Sequence, residues 1–300
     1  MISARSFTTL LIVILTLPAT FVYAWPLASA SSVPAATIPN LLFSNGAMPP
    51  ASVGGLPLPA GFTRVPQPAG SFGAWLRSMP LKQDNKVYLY NGHLKGNQQA
   101  QYAVLDISTG NKDLQQCADA VIRLYAEYLY QTKQLGKIAF HATDGTLMDY
   151  NSWMQGDRFM LKQNRLVKVR KAAACSGPAC FSNYLETVFS WAGTLSLSKE
   201  LLPVKDTRKI LPGNVFIKGG SPGHAVIVMD VAENAAGERI FLLAQSYMPA
   251  QNIHVLKKSG WCHALVPGRI YRKTADTGMG VRCRGAGAVP LKKYACLQRL

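Results

Sequence analysis

The chain has 300 residues, 32 Lys and Arg against 15 Asp and Glu, and a formal net charge of +17. That length admits one or two domains, and after the first thirty residues no apolar run is long enough for a membrane-spanning helix. The charge would suit a nucleic-acid binder. However, residues 261–300 hold eight basic residues against one Asp, and basic and aromatic residues do not interleave as base stacking requires, so no nucleic-acid partner is expected.

In chain order, residues 1–30 join one early Arg to an apolar run with small residues at two cleavage positions, after Ala24 or Ala30. This predicts a signal peptide, and hence export to a periplasmic or extracellular space with no integral membrane segment after its removal. Residues 31–70 carry eight prolines. Residues 31–60 read as a Pro/Ala/Gly-rich linker, followed by a folded domain over 61–261.

Within that domain, "SFGAWLRSMPL" (71–81) predicts a short helix ended by Pro80. The alternation in 86–92 and 100–108 predicts strands. Residues 113–130 place Leu114, Cys117, Ala118, Val121, Leu124, Tyr125 and Tyr128 on one helical stripe, with Asn111 or Asp113 as N-cap. A second helix is expected over 181–192. Strands follow in "NVFIKGG", "HAVIVMDVA", "RIFLLAQSY" and "NIHVLK". The expected class is α+β, with helices first and an antiparallel sheet afterwards.

There are six cysteines. Cys175 and Cys180 flank a Gly-Pro turn and are expected to pair in an oxidising compartment. The spacings give no zinc pattern, and neither a metal nor a cofactor is expected. Cys117 has no evident partner.

His224 opens an apolar strand just after a Ser-Pro-Gly turn. A symmetric hairpin around "ENAAGE" would set Val231 opposite about Arg239 and His224 opposite Gln245 or Ser246. A side-chain amide there would accept the Nδ1–H of His224 and fix its tautomer. Cys117, near a helix N-terminus, would be the nucleophile, its pKa lowered by the unpaired N–H groups. The catalytic candidates are therefore Cys117, His224 and Gln245, with Ser246 the alternative third member. Cys117's backbone N–H and the side chain of Gln115 or Gln116 are candidates for an oxyanion hole. Under the alternative reading Cys117 is a small core residue, His224 a structural strand-end residue, and the chain a non-catalytic envelope or binding domain with a hydrolase-like fold.

The order of Cys on a helix, His on a strand and a polar residue on the next strand resembles papain-fold peptidases, especially the NlpC-like cell-wall endopeptidases. "LQQCADAV" and "GHAVIV" are the segments that carry the likeness. That resemblance implies a papain-like fold and a thiol hydrolase, a peptidase or amidase, acting on an envelope or peptidoglycan peptide. The chain departs from the NlpC pattern in having "QQCAD" where Asp-Cys-Ser is usual.

From about Leu56 to Trp261 the chain also resembles the bacterial family DUF4846. The likeness lies in "GFTRV", "LKGNQQAQYAVLDI", "DLQQCADAVIRLYAEYL", "GNVFIKGGSPGHAVIVMDVA" and "FLLAQSYMPAQNIHVL". It makes Asp106, Asn97, Tyr184 and Glu186 candidates for the site wall. Members usually continue close to "TPEWVF", whereas residues 276–283 read "DTGMGVRC". A one-base shift can convert one into the other, so part of the basic stretch 262–300 is expected to be translated out of frame.

Overall fold

The structure, a computed structural model, describes residues 50–204 and 206–257, and the backbone alone of the strands at 261–263 and 293–296. The expected signal peptide, most of the linker and most of the basic tail lie outside the described residues.

The architecture is mixed α+β, built around a curled antiparallel sheet. In chain order its elements are β1 (Phe62–Arg64), α1 (Phe72–Ser78), β2 (Gln101–Val104), α2 (Cys117–Gln131), β3 (Ala139–His141), β4 (Leu147–Asp149) and α3 (Tyr150–Met154). There follow β5 (Asp157–Lys162), β6 (Arg165–Arg170), α4 (Gly177–Trp191), α5 (Thr194–Glu200) and β7 (Leu202–Pro203). The last six strands are β8 (Asn214–Lys218), β9 (His224–Asn234), β10 (Arg239–Gln245), β11 (His254–Leu256), β12 (Trp261–His263) and β13 (Lys293–Cys296). The sheet runs β2-β11-β10-β9-β8-β13-β7; β1 adds to β9, and β12 adds to β10.

Strand β9 organises the molecule. Its first half pairs with β8, its far end with β1, and its other edge with β10. Because side chains alternate across a strand, it feeds two cores. Ala225, Ile227 and Met229 join the larger core with Ala118, Val121 and Leu124 of α2. Val226 and Val228 join a smaller cluster with Phe216, Phe241, Leu243 and Leu256 on the other face.

Several local expectations are corrected. Helix α2 starts at Cys117, with Gln116 rather than Asn111 or Asp113 as N-cap. The Asp113 carboxylate is already committed, accepting the Ala250 N–H at 2.6 Å. Residues 86–92 form no strand, only isolated bridges from Tyr88 and Leu89. The β9–β10 turn is tighter than expected, so Val231 faces Phe241, and Arg239 faces Glu233. The β5–β6 hairpin was not foreseen; it turns on Gln163 and Asn164, both at positive φ, as a two-residue hairpin loop requires. The Cys175–Cys180 disulfide is present and ties the residue before the α4 N-cap, Ser176, to the first turn of α4.

Candidate functional site

The segment before Cys117 is fixed by polar bonds to the loop between β10 and β11. Ser246 is fully buried, with its hydroxyl 2.9 Å from the Gln115 carbonyl oxygen and 2.8 Å from that of Gln251. The Gln115 amide in turn reaches the Gln251 carbonyl at 3.5 Å, and its oxygen accepts from Arg123 at 3.1 Å. With Asp113 bound to Ala250, these contacts set where α2 begins. A side-chain bond completes the start: the Asp119 carboxylate accepts the Gln116 N–H at 2.9 Å.

His224 is placed by the strand and by the glycine before it. A Cβ at position 223 would collide with Thr194 Oγ1 and the Gly220 carbonyl, so only glycine lets the chain enter β9 this close to α5. The His224 Nε2 lies 2.8 Å from Gln245 Oε1. The two residues are not directly opposite. The β9–β10 ladder pairs Ala244 with Ile227 after a register shift at Leu242/Leu243, which sets Gln245 on the diagonal from His224, within reach of a long side chain. Tyr247 packs edge-on against the imidazole at 5.5 Å between ring centroids.

An amide oxygen can only accept, so Nε2 carries the ring proton and Nδ1 holds the lone pair. This inverts the expected assignment, in which the amide took Nδ1–H. Nδ1 is buried and has no hydrogen-bond partner among the described residues. Burial pushes the His224 pKa down, and the Gln245 bond opposes it.

Cys117 is a free, half-buried thiol. Burial pushes its pKa up, whereas backbone hydrogen bonds from Ala225, Ala118 and Cys117 itself pull it down. The Ala225 contact brings the sulfur to the residue that follows His224. The expected depression of the thiol pKa at the helix start is therefore overridden by desolvation. The thiol and the imidazole both rest in their neutral forms.

The model of the family DUF4846, a domain of unknown function (4846), matches residues 55–263. The chain belongs to the DUF4846 family. No curated protein and no solved structure matches it.

The other candidates fall elsewhere in the DUF4846 domain. Ser246 is committed to two carbonyls and cannot orient the imidazole. Gln115 is held by Arg123 and Gln251, and the Gln116 amide donates to Asp113 at 3.4 Å, so neither amide is set aside for an oxyanion. Asp106 and Asn97 are exposed, and Asn97 caps the Gln99 N–H. Tyr184 is buried and donates to the Met148 carbonyl. Glu186 pairs with Lys112 at 2.7 Å on the wall of a cleft of about 270 Å³, shared with Leu114, Arg123, Tyr130 and Phe181. That cleft is not lined by Cys117, His224 or Gln245. Among the described residues no three His, Cys, Asp or Glu side chains converge on a point where they could hold a metal.

Two residues beside the site were not foreseen. Asp119 is 6 % exposed, and burial drives its pKa up to about 7. His254 is fully buried and stands directly across the β10–β11 ladder from Gln245. The sequence carried a signal for the second in "QNIHVLK", a polar residue inside a strand adjoining that of Gln245.

Proposed function

We propose that this protein is an exported thiol hydrolase of papain-like organisation that cleaves an amide bond in an envelope peptide. The observation that carries the reading is the Nε2–Gln245 bond, which leaves the Nδ1 lone pair of His224 free as a base, with the Cys117 thiol close enough to the backbone of the next residue, Ala225, for that N–H to pull its pKa down. His224 Nδ1 takes the thiol proton as sulfur attacks the substrate carbonyl. The imidazolium then returns that proton to the leaving amine, and the acyl group remains on sulfur as a thioester. A water, deprotonated by the same Nδ1, attacks the thioester; the acid leaves, and the thiolate takes back the proton. Gln245 holds the ring throughout.

The resting pair is neutral, so activation is by general base rather than by a preformed thiolate. Tyr247 and Met248, both substantially exposed, offer apolar surface beside the imidazole for the substrate. The basic chain would favour an anionic envelope polymer.

A second reading, a non-catalytic envelope domain, draws on the burial that raises the thiol pKa and on the unpartnered Nδ1. Release of new amino termini from purified peptidoglycan and from a peptide library separates the two. The hydrolase reading expects release by wild type, none by Cys117→Ser, and at least about a hundredfold loss in His224→Ala. Gln245→Ala should lose less, because it orients without transferring a proton. Equal release by wild type and Cys117→Ser would establish the second reading.

A further inference from the structure

We propose that the free end of the β5–β6 hairpin is a docking surface for an anionic membrane, where cationic and apolar side chains meet the lipid together. The inference goes beyond the hydrolase reading and does not depend on it.

Residues 157–171 carry six basic residues against one Asp. Three of these cations are occupied by the body of the protein. Lys168 pairs with Asp149 at 3.0 Å, Arg170 with Asp157 at 2.8 Å, and the Arg158 guanidinium lies 3.9 Å from the centre of the Trp153 ring. Lys162, Arg165 and Lys171 are exposed and form no ion pair among the described residues. The Asp144 carboxylate is within electrostatic reach of Arg165, but it accepts the N–H groups of Leu166 and Thr146 instead.

Lys162 and Arg165 close the hairpin and face each other directly across its ladder. Like charges in that position repel each other and weaken the pairing. An anion brought against them attracts both, so the electrostatics of this end improve when an anionic surface arrives. Charge alone would suit a solvated sheet edge, where lysines discourage pairing with other strands. The apolar residues beside the two cations do not fit that role.

Side chains alternate along each strand, so the hairpin has an inner and an outer face. Phe159 and Leu166, on the inner face, belong to the larger core. Leu161 stands opposite Leu166 on that face, nearer the turn than Phe159, and is 55 % exposed. On the outer face Met160 stands opposite Val167, directly behind the Lys162–Arg165 pair. Both are half-buried and belong to neither core. The end that projects two cations thus carries apolar side chains on both of its faces. A soluble polyanion needs only the cations. A bilayer takes both kinds of group: headgroup phosphates meet Lys162 and Arg165, whose long stems keep the charge at the interface. Leu161, Met160 and Val167 enter the boundary between headgroups and acyl chains.

Photolabelling of the full chain tests this. The probe is phosphatidylglycerol with a diazirine in its acyl chain, carried in phosphatidylcholine vesicles, and mass spectrometry locates the labelled residues. Label should appear within residues 159–167. A phosphatidylcholine probe in vesicles without phosphatidylglycerol should leave that segment unlabelled. For each cation removed, in Lys162→Gln and Arg165→Gln, the lipid concentration that half-labels the segment should rise about fivefold. Leu161→Ser should raise it about tenfold, as for one leucine withdrawn from an apolar phase. Absence of label from 159–167 in wild type overturns the proposal, whatever other segments are labelled. Equal labelling in vesicles without anionic lipid overturns it as well. Labelling that falls in Lys162→Gln but is unchanged in Leu161→Ser would show a site for a soluble polyanion, with which inorganic polyphosphate would compete, and would also overturn the membrane proposal. Should a variant fail to fold, the wild-type pattern in the two kinds of vesicle decides alone.

Discussion

At Cys117 two physical effects compete, and their balance sets how the site would work. The helix start and three backbone N–H groups favour thiolate, yet burial outweighs them. The charge of Asp119, two residues on, adds to burial in raising the thiol pKa. Asp119 itself has a carboxyl pushed up to about 7 because one of its oxygens is buried without a partner. As pH rises from the ordinary carboxylate range toward 7, the unfolded chain gives up this proton before the folded one does. The folded state binds more protons across that window, so stability falls with rising pH, by up to roughly 4 kcal/mol. Asp119→Asn keeps an oxygen for the Gln116 N–H and removes the charge. In urea unfolding the variant should lose less stability than wild type between pH 5 and pH 8, a range that covers roughly the upper part of the window. Iodoacetamide labelling of Cys117 in wild type should rise only on the alkaline side of an ordinary thiol, and in the variant it should rise at lower pH. A wild-type plateau already present in mild acid would mean a preformed thiolate and would contradict the neutral pair.

Among the elements, the β10–β11 loop does for the segment before Cys117 what a hydrophobic core does elsewhere. Ser246, Gln251 and Ala250 bind the backbone or side chains of the segment that leads into α2. Ser246→Ala would leave two buried carbonyls without their shared donor, a loss of about 1–3 kcal/mol, and the urea midpoint should fall accordingly. The His224 tautomer should not change, since the ring is held from Gln245; a changed tautomer would mean that Ser246 orients the ring after all. At this scale the sequence was informative where apolar periodicity was strong. The stripe from Cys117 to Tyr128 and the runs of β8, β9 and β10 were legible because burial on one or both faces dictates residue type. The β5–β6 hairpin was missed because its turn is Gln-Asn rather than a glycine pair, and because its strands are charged on their exposed side. The start of α2 was displaced because Asp113 looks like a cap locally, whereas its partner, Ala250, is remote in sequence. The contact between His224 and Gln245 was legible as polar residues on successive strands. Which imidazole nitrogen meets the amide was not, since it depends on a register shift inside a hairpin.

In the molecule as a whole, one strand couples the site to overall stability. β9 begins at His224 and carries Asp230 in its interior, fully buried between two arginines. Arg64 Nε lies 2.8 Å from one carboxylate oxygen and an Arg77 terminal nitrogen 2.6 Å from the other. The same guanidinium groups donate to the carbonyls of Leu56 and Val65. The segment from Leu56 to Val65 and helix α1 are thereby clasped to the strand that opens with His224. Removing the carboxylate leaves two partly buried cations facing apolar surroundings, and breaking such a cluster costs roughly 3–5 kcal/mol. Asp230→Ala should therefore lower the urea midpoint with the transition still cooperative, because β9 pairs with β1, β8 and β10 and cannot come loose alone. Tryptophan fluorescence and circular dichroism should report the same midpoint. If the clasp served only to tether the N-terminal segment, Trp75 on α1 would respond first and the two signals would separate. In the protein that remains folded without denaturant, Cys117 labelling should match wild type, since Asp230 lies six residues along β9 from His224 and its carboxylate bonds, among the described residues, go to Arg64, Arg77 and the Val231 N–H. A change in that labelling would show that the clasp sets the surroundings of Cys117 as well as the stability of the strand that His224 opens.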